Sequence, residues 1–329
     1  MSCIIQTNYF TDTNIDKILV SGCAGFIGFH VCYKLLLDKK IVIGLDNMAT
    51  YDNNEDTKQS KFDNVDILKS FDNFLFISDD ICTTNVLSTY SISKVIHLAA
   101  IAGVRFSLKN PILYEKNNVQ GFIHLLEECV KNNVKQLVYA SSSSVYGTNT
   151  KIPFTEIDIT DNLNSPYACT KLCMEIYAKT YSRLYNLNNI GLRFFTVYGP
   201  RGRRDMAPYI FMDAIKNNKT FFKYGDGSSY RDYTYIDDIV GGIISAMENK
   251  KNVKCEIYNL GNNNPVELNK FIEICENITG NKAKFIQCDK QLGDVEFTYA
   301  DISKAMKDLD YYPKTSLKDG LEKLYNSIE

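Results

Sequence analysis

Short apolar runs without polar alternation recur along the N-terminal part of the chain: Lys17-Ile18-Leu19-Val20, Ile41-Val42-Ile43-Gly44-Leu45, Phe74-Leu75-Phe76-Ile77, Lys94-Val95-Ile96-His97-Leu98 and Gln136-Leu137-Val138-Tyr139-Ala140. Runs of this length suit strands buried on both faces. Helical periodicity lies between them, as from Phe29 to Leu37 and from Pro111 to Val130. The alternation predicts an α/β fold, a Rossmann doubly wound parallel sheet with helical crossovers. Gly191-Leu192-Arg193-Phe194-Phe195-Thr196-Val197-Tyr198-Gly199-Pro200 reads as a sixth strand leading into a turn. Beyond it the alternation loosens, so a boundary is placed near Pro200. Residues 1–200 would form the larger unit and 201–329 a smaller C-terminal α/β substrate-binding unit. Tyr235-Ile236-Asp237-Asp238-Ile239-Val240 opens a helix expected to return to the first unit, within a segment of about 233–260. Residues 1–16 read as a polar lead-in, and residues 47–73, with Tyr51, as a loop plus helix near the substrate.

Composition narrows the function classes. Hydrophobic residues make up 45% and charged ones 23%, an ordinary globular balance. A net charge of −2 gives no basic field for nucleic acid or a membrane surface. No apolar N-terminal run follows a basic start, which argues against a signal peptide or anchor. Ten cysteines are scattered without metal spacing, which predicts a reduced, cytoplasmic protein. His30, His97 and His124 have no partners at ligand spacing, so neither a metal nor a histidine triad is expected.

Chemistry enters at the strand ends. The first strand runs into Gly22-Cys23-Ala24-Gly25-Phe26-Ile27-Gly28 and then a helix, the context a dinucleotide fingerprint requires. The spacing is G-x-x-G-x-x-G. Gly22 permits the tight turn, Gly25 the approach of a pyrophosphate and Gly28 the packing of helix on strand; the amides around Phe26 and Ile27 meet the phosphates. Asp46, 18 positions past Gly28, ends the second strand and would accept hydrogen bonds from the adenosine ribose while repelling a 2′-phosphate, favouring NAD over NADP. Asn47 stands beside it, and Asp80 and Ile81 are placed for the adenine edge. Leu98, Ala99 and Ala100 close the fourth strand, small enough for a nicotinamide to approach. Asn117 and Asn118 sit inside a helical pattern, where asparagine is a mediocre former, so a polar task and plain exposure both stay open. Ser141 to Ser144 put four hydroxyls at the carboxyl end of a central strand, facing the crevice where such sheets bind ligands. In Ser165-Pro166-Tyr167-Ala168-Cys169-Thr170-Lys171, Ser165 is a good N-cap and Pro166 suits the first turn. Tyr167 and Lys171 then share one helix face, and a fixed cation beside a phenol is expected to lower its pKa from about 10.

Together these motifs resemble the extended short-chain dehydrogenase/reductase family of nucleotide-sugar enzymes, the NAD-dependent epimerases and dehydratases. The carrying stretches are GCAGFIG, HLAAIAGVRFSLKNP, VYASSSSVYG, SPYACTK, GLRFFTVYGPRGRRDMA, RDYTYIDDI, YNLGNNNPVEL and GDVEFTYADISKA, in order from residue 17 to about 315. Within the family, FFTVYGPRGRRDMA is similar to the 4-epimerases of UDP-glucuronate. The resemblance implies Tyr167 as catalytic base with Lys171 its partner at the nicotinamide ribose, Ser142 on the reacting hydroxyl and Ser144 nearby. It implies Asn117 near the nicotinamide, Thr196 where glucose epimerases carry asparagine, Arg231 on the pyrophosphate and Asp294 on the uridine ribose. Gln291 stands where some relatives have a second phosphate arginine, and Arg204 where proline is usual. A homodimer built on the Pro111 and Tyr167 helices is implied as well.

The implied chemistry is hydride transfer without net redox through a 4-keto sugar, with NAD as cofactor and a UDP-sugar as substrate. Dehydratases of the family carry an Asp-Glu pair near the strand-five serines, and decarboxylases a Glu; serines and Val145 stand there instead. Arg203, with Thr196, is the expected holder of a glucuronate carboxylate, since an arginine fork takes a carboxylate in two parallel bonds. A UDP-glucose or UDP-N-acetylglucosamine 4-epimerase is the alternative, and an idle NAD-binding scaffold a further one.

Overall fold

The computed structural model describes residues 10–13, 15–51, 55–291 and 293–328. The lead-in read at 1–16 therefore lies mostly outside the described residues, although Phe10 is buried. Strands β1 (Lys17–Ser21), β2 (Ile41–Asp46), β3 (Phe74–Ser78), β4 (Lys94–His97), β5 (Gln136–Ser142) and β6 (Asn189–Phe194) fall where the apolar runs lie. After them come β7 (Thr196–Tyr198), β8 (Thr220–Tyr224), β9 (Tyr230–Tyr235), β10 (Cys255–Leu260), β11 (Pro265–Glu267) and β12 (Lys284–Cys288). The large sheet has the order β10-β6-β5-β4-β1-β2-β3, with all its pairs parallel.

Burial explains why the strand runs lack alternation. Ile18, Val20, Val42, Ile96, Val138 and Leu192 belong to one core, and Leu19, Ile43, Leu45, Val95, Leu137 and Tyr139 to the other. Successive side chains point to opposite faces, and helices cover both. The Phe26–Leu37 helix packs against Ile236–Glu248, and β10 joins as the seventh strand beside β6. Segments after Pro200 thus complete the sheet. The smaller sheets are β11-β9-β7 and β12-β8. Asp232, fully buried, accepts backbone N–H groups from Asn262 at 2.7 Å, Asn263 at 3.1 Å and Ala300 at 3.0 Å, joining β9 to two later segments.

Two stretches depart from the sequence expectation. Gly191 to Pro200 is not one strand. β6 ends at Phe194, Phe195 N–H donates to Leu260, and β7 crosses to the sheet of β9. A mostly apolar run carries no mark of where a chain changes sheets. The expected Pro111 to Val130 helix is Pro111–Tyr114, a wider π turn over Glu115–Gln120, and Gly121–Lys131. The cause is Asn118. Its amide accepts from Ile101 N–H at 2.8 Å and donates to Ile101 O at 3.0 Å and Thr170 Oγ1 at 3.1 Å. One extra residue in the turn aims that side chain inward, as π bulges near functional sites commonly do.

Candidate active site

The carboxyl ends of β1, β4 and β5 meet the first turns of the Pro166–Tyr185 helix. Ser165 caps that helix, its hydroxyl accepting from Ala168 N–H at 3.2 Å. Lys171 Nζ donates to Ala140 O at 2.8 Å and lies 6.0 Å from the centre of the Tyr167 ring. The Tyr167 hydroxyl shares a hydrogen bond with Ser142. Ser142 Oγ in turn donates to Ser144 Oγ at 3.1 Å and accepts from Ser144 N–H at 3.1 Å. Tyr114 packs edge-on against Tyr167, with ring centres 6.1 Å apart, and its hydroxyl donates to Ala102 O and Gly103 O. Ser142, Ser144, Tyr167 and Lys171 are therefore brought together.

The electrostatics differ from the simple expectation of a lowered phenol. Burial pushes the Tyr167 phenol above its ordinary value, opposed by the Ser142 hydrogen bond and by Arg203. Burial also draws the Lys171 ammonium down to about 7, with Glu175 resisting. Desolvation penalises each charged form, so in the protein's own groups it outweighs the pairing that spacing suggested.

The glycine turn fits a dinucleotide. Gly22 adopts φ +76, and a Cβ there would stand 2.7 Å from Ala99 N, so loop and β4 end are in backbone contact. A Cβ at Gly28 would lie 2.0 Å from Gly22 O. No side chain caps the Phe26–Leu37 helix at Gly25, which leaves the first amides, Phe26 and Ile27 among them, to an anion. Asp46 Oδ1 accepts from Met48 N–H at 2.8 Å and from Lys61 Nζ at 3.0 Å, and Oδ2 from Ala24 N–H at 3.2 Å. Asn47 Nδ2 donates to Asp80 Oδ2 at 3.1 Å, and Ile81 is buried beside them. Leu98 N–H and Ala99 N–H bond Ser21, which keeps Ala99 and Ala100 close to the turn. Asn117 Nδ2 donates to Leu113 O at 2.9 Å, and its Oδ1 accepts from Tyr51 at 3.1 Å. A glycine cradle, a strand-end carboxylate and uncapped amides are the parts a bound NAD needs.

Charge alternates outward from Tyr167. Arg203 lies beside it and beside Tyr114. The Arg203 fork holds Asp205, Nε to Oδ1 at 3.0 Å and Nη2 to Oδ2 at 2.6 Å. Arg105 comes next, near Asp205 and paired with Asp294 at 3.2 Å. Arg231, its guanidinium lowered by burial, faces Asp294 and Arg105 and donates to Tyr230 O at 2.8 Å. Tyr224, Gly227, Arg231, Lys290 and Asp294 line the outer cleft. Thr196 is half-buried at the start of β7.

Three participants, Arg105, Lys61 and Asp205, escaped the sequence reading. Arg105 places a second guanidinium beside Arg231. Its signal was present in the stretch AGVRFSL. Lys61 neutralises part of the Asp46 charge, 15 residues on and without a motif. Asp205 was visible only as a neighbour of a residue already chosen, whereas Asn118, for which a polar task and exposure had both stayed open, takes the polar task against Ile101. Arg204, in the proline position, pairs with Asp56 at 2.8 Å, tying its loop to the Glu55–Lys69 helix. Arg201 holds Asn64 at 2.6 Å and lies over the Phe29 ring. Among the described residues no helix is long and apolar enough to cross a membrane, and no cluster of His, Cys, Asp or Glu is placed to hold a metal.

Comparison with known proteins agrees with this geometry. Residues 18–261 match the NAD dependent epimerase/dehydratase family. The chain is 44% identical to UDP-glucuronate 4-epimerase of Thermodesulfobacterium geofontis, over 94% of each chain. Its structure is similar to UDP-glucuronic acid 4-epimerase from Bacillus cereus, solved with UDP-glucuronic acid and NAD (TM-score 0.87, 38% identity, 94% of this chain and 98% of that one). It is also similar to UDP-glucose 4-epimerase from Thermotoga maritima, solved with UDP-glucose (TM-score 0.84, 31% identity, 94% and 98%). A fingerprint turn, a Ser-Tyr-Lys cluster and a family match over most of the chain agree: this protein belongs to the NAD dependent epimerase/dehydratase family.

Proposed function

We propose that the protein is an NAD-dependent isomerase that interconverts UDP-glucuronate and UDP-galacturonate through a transient 4-keto sugar. The observation that carries the uronate is the Arg203 fork. It sits beside Tyr167 and already grips a carboxylate side-on, that of Asp205. A sugar carboxylate meets the same donors, with Thr196 assigned as a further one.

In this reading Tyr167 Oη takes the proton of the 4-hydroxyl while Ser142 holds that oxygen, with Ser144 behind it. Lys171 fixes the phenolate and the nicotinamide ribose. NAD, when bound, supplies the acceptor and later the donor of the carbon-4 hydride, so the reaction has no net redox change. Gly22, Gly25, Gly28, Phe26, Ile27, Asp46, Asn47, Asp80, Ile81, Leu98, Ala99, Ala100 and Asn117 are assigned to holding it. Arg231, Arg105 and Asp294 keep the UDP half in place while the sugar turns over. Keeping the carboxylate near the plane of the 4-ketone disfavours loss of carbon dioxide from a β-keto acid, so Arg203 serves retention as well as affinity. No carboxylate stands at Ser144 or Val145 to expel water from the sugar.

The same reading divides the chain into a dinucleotide unit, 1–200 with about 233–260, and a sugar-nucleotide unit made of the rest. It places the enzyme in the cytoplasm as a homodimer. Exposed Ile112 (82%), Ile176 (58%) and Leu184 (66%) on the Pro111 and Tyr167 helices offer the apolar surface that a second copy would cover. The testing experiment incubates purified protein and NAD with UDP-glucuronate and separates the 4-epimers and any UDP-pentose. UDP-galacturonate without pentose is expected. Turnover of UDP-glucose or UDP-N-acetylglucosamine alone would replace the uronate reading with the neutral-sugar one, and no turnover of any of the three would leave an idle scaffold.

A further inference from the structure

Three residues of one helix face answer three consecutive residues of β5. Tyr167 bonds Ser142, Lys171 Nζ bonds Ala140 O at 2.8 Å, and the Glu175 carboxylate accepts from Ser141 Oγ at 2.5 Å. Residues four apart on a helix stack one above another, so Glu175 stands one turn below Lys171 as Lys171 stands below Tyr167. Arg193, opposite Ser141 on β6, closes the arrangement. Its Nε donates to Glu175 Oε1 at 2.9 Å and its Nη2 to Oε2 at 2.8 Å. Lys171, Glu175 and Arg193 are each buried to 5% exposure or less.

A buried ion pair is a poor stabilising device, since desolvation of both charges offsets most of their attraction. Its position is what suggests a use. The charged groups facing Lys171 are Tyr167 and Glu175 on its own helix and His97 on β4, with Arg193 behind Glu175 on β6. His97 is buried, its Nδ1 bonded to Ser21 Oγ at 2.8 Å, and burial with Lys171 nearby holds its pKa at about 3, so it carries no charge. β5 offers only a carbonyl and hydroxyls. Glu175 is then the one anion in that set which supports a buried ammonium, and Arg193 with Ser141 holds the carboxylate in place.

We propose that Glu175, clamped by Arg193 and Ser141, is a positioning residue that keeps Lys171 protonated and directed at the phenol during turnover. The inference rests on the epimerase reading for its meaning in catalysis, but not for its test. Lysines labelled with carbon-13 at Cε are titrated by NMR in the NAD-bound protein, and the Lys171 resonance is followed. A carboxylate about 6 Å away at an effective dielectric of about 20 shifts an ammonium by about one to two pH units. E175Q is therefore expected to lower the Lys171 titration by that amount, and E175D, which keeps the charge, to restore most of it. The acid limb of the kcat profile should move the same way, and its plateau should fall as Lys171 loses its proton in preference to Tyr167. KM for the UDP-sugar stays unchanged.

A purely structural pair would lower stability and leave the titration where it was. An unmoved titration in E175Q, or an equal shift in E175D, overturns the proposal. Where E175Q does not fold, S141A decides. It removes one of the two holds on the carboxylate, so Lys171 should titrate lower than in the wild type, and a titration unmoved or raised overturns the proposal too. A wild-type protein that turns over no UDP-sugar would end the epimerase reading while the titration still judges Glu175.

Discussion

Replacing Arg203 by methionine separates recognition of the uronate from the chemistry at carbon 4. The side chain keeps its apolar stem but loses the fork, which makes bonds of 2.6 and 3.0 Å to Asp205. Charge-assisted hydrogen bonds contribute about 1.5–3 kcal/mol each. The guanidinium is 34% exposed and must first release Asp205, so the net loss for a substrate carboxylate is nearer 2–3 kcal/mol in all, about 30- to 150-fold in kcat/KM. Asp205 adds to this. Left without a partner, it repels the incoming carboxylate, and at 59% exposure the screened cost is about 1 kcal/mol or less. R203M is thus expected to lose about 30- to 750-fold on UDP-glucuronate, and R203M/D205N to recover up to about fivefold of it. On UDP-glucose, which has no carboxylate, R203M should change kcat/KM by less than about fivefold. Initial rates on both sugars, with products separated by anion exchange, give the ratio. An equal fall on the two substrates would refute the reasoning, because Arg203 would then act on the reaction centre or the fold and not on the uronate.

The cofactor turn gives a steric prediction: a Cβ at Gly28 overlaps Gly22 O at 2.0 Å, so G28A should still fold but bind NAD at least 100-fold more weakly, about 3 kcal/mol, in calorimetric titration. Asp46 and Lys61 give one on selectivity. D46A frees the Lys61 ammonium, now 3.0 Å from the carboxylate, to meet a 2′-phosphate, so the ratio of NADP to NAD affinity should rise about tenfold or more; a ratio unchanged from wild type would exclude the exchange. Asp232 gives a pH dependence. Burial pushes its carboxyl up to about 6 against three backbone donors. The folded state then holds the proton more tightly than the unfolded one, so its contribution is complete below the unfolded value of 3.8 and is lost as pH rises through 6. Relative to D232N, wild-type unfolding free energy in urea should fall by about 3 kcal/mol between acid and neutral pH, and parallel curves would show that the carboxylate titrates normally.

The architecture was readable where local physics decides it. Runs such as Leu19-Val20 or Ile43-Gly44-Leu45 can only be strands covered on both faces, and the glycines at 22, 25 and 28 declare a turn into a helix. Ser165 and Pro166 mark a helix start, and with it the shared face of Tyr167 and Lys171. What escaped depends on distant partners. Nothing near Asn118 announces a π turn, because the turn exists to reach Ile101 across another segment. Nothing in Phe194-Phe195-Thr196 says that the chain changes sheets there. The upward shift of Tyr167 and the downward shift of Lys171 are properties of burial, which spacing on a helix does not report. Arg105 was overlooked because its partner Asp294 lies 189 positions away.

The seventh strand has a consequence for biosynthesis. β10 is drawn from Cys255–Leu260, so during translation the edge of β6 stays bare until most of the polypeptide has left the ribosome. A truncated product ending near Pro200 would expose a long, apolar, unpaired edge, the kind of template on which chains aggregate. Dinucleotide binding in this protein is accordingly a property of a chain that carries β10, and a polypeptide cut at the apparent end of the βα alternation should aggregate more readily than the uncut one.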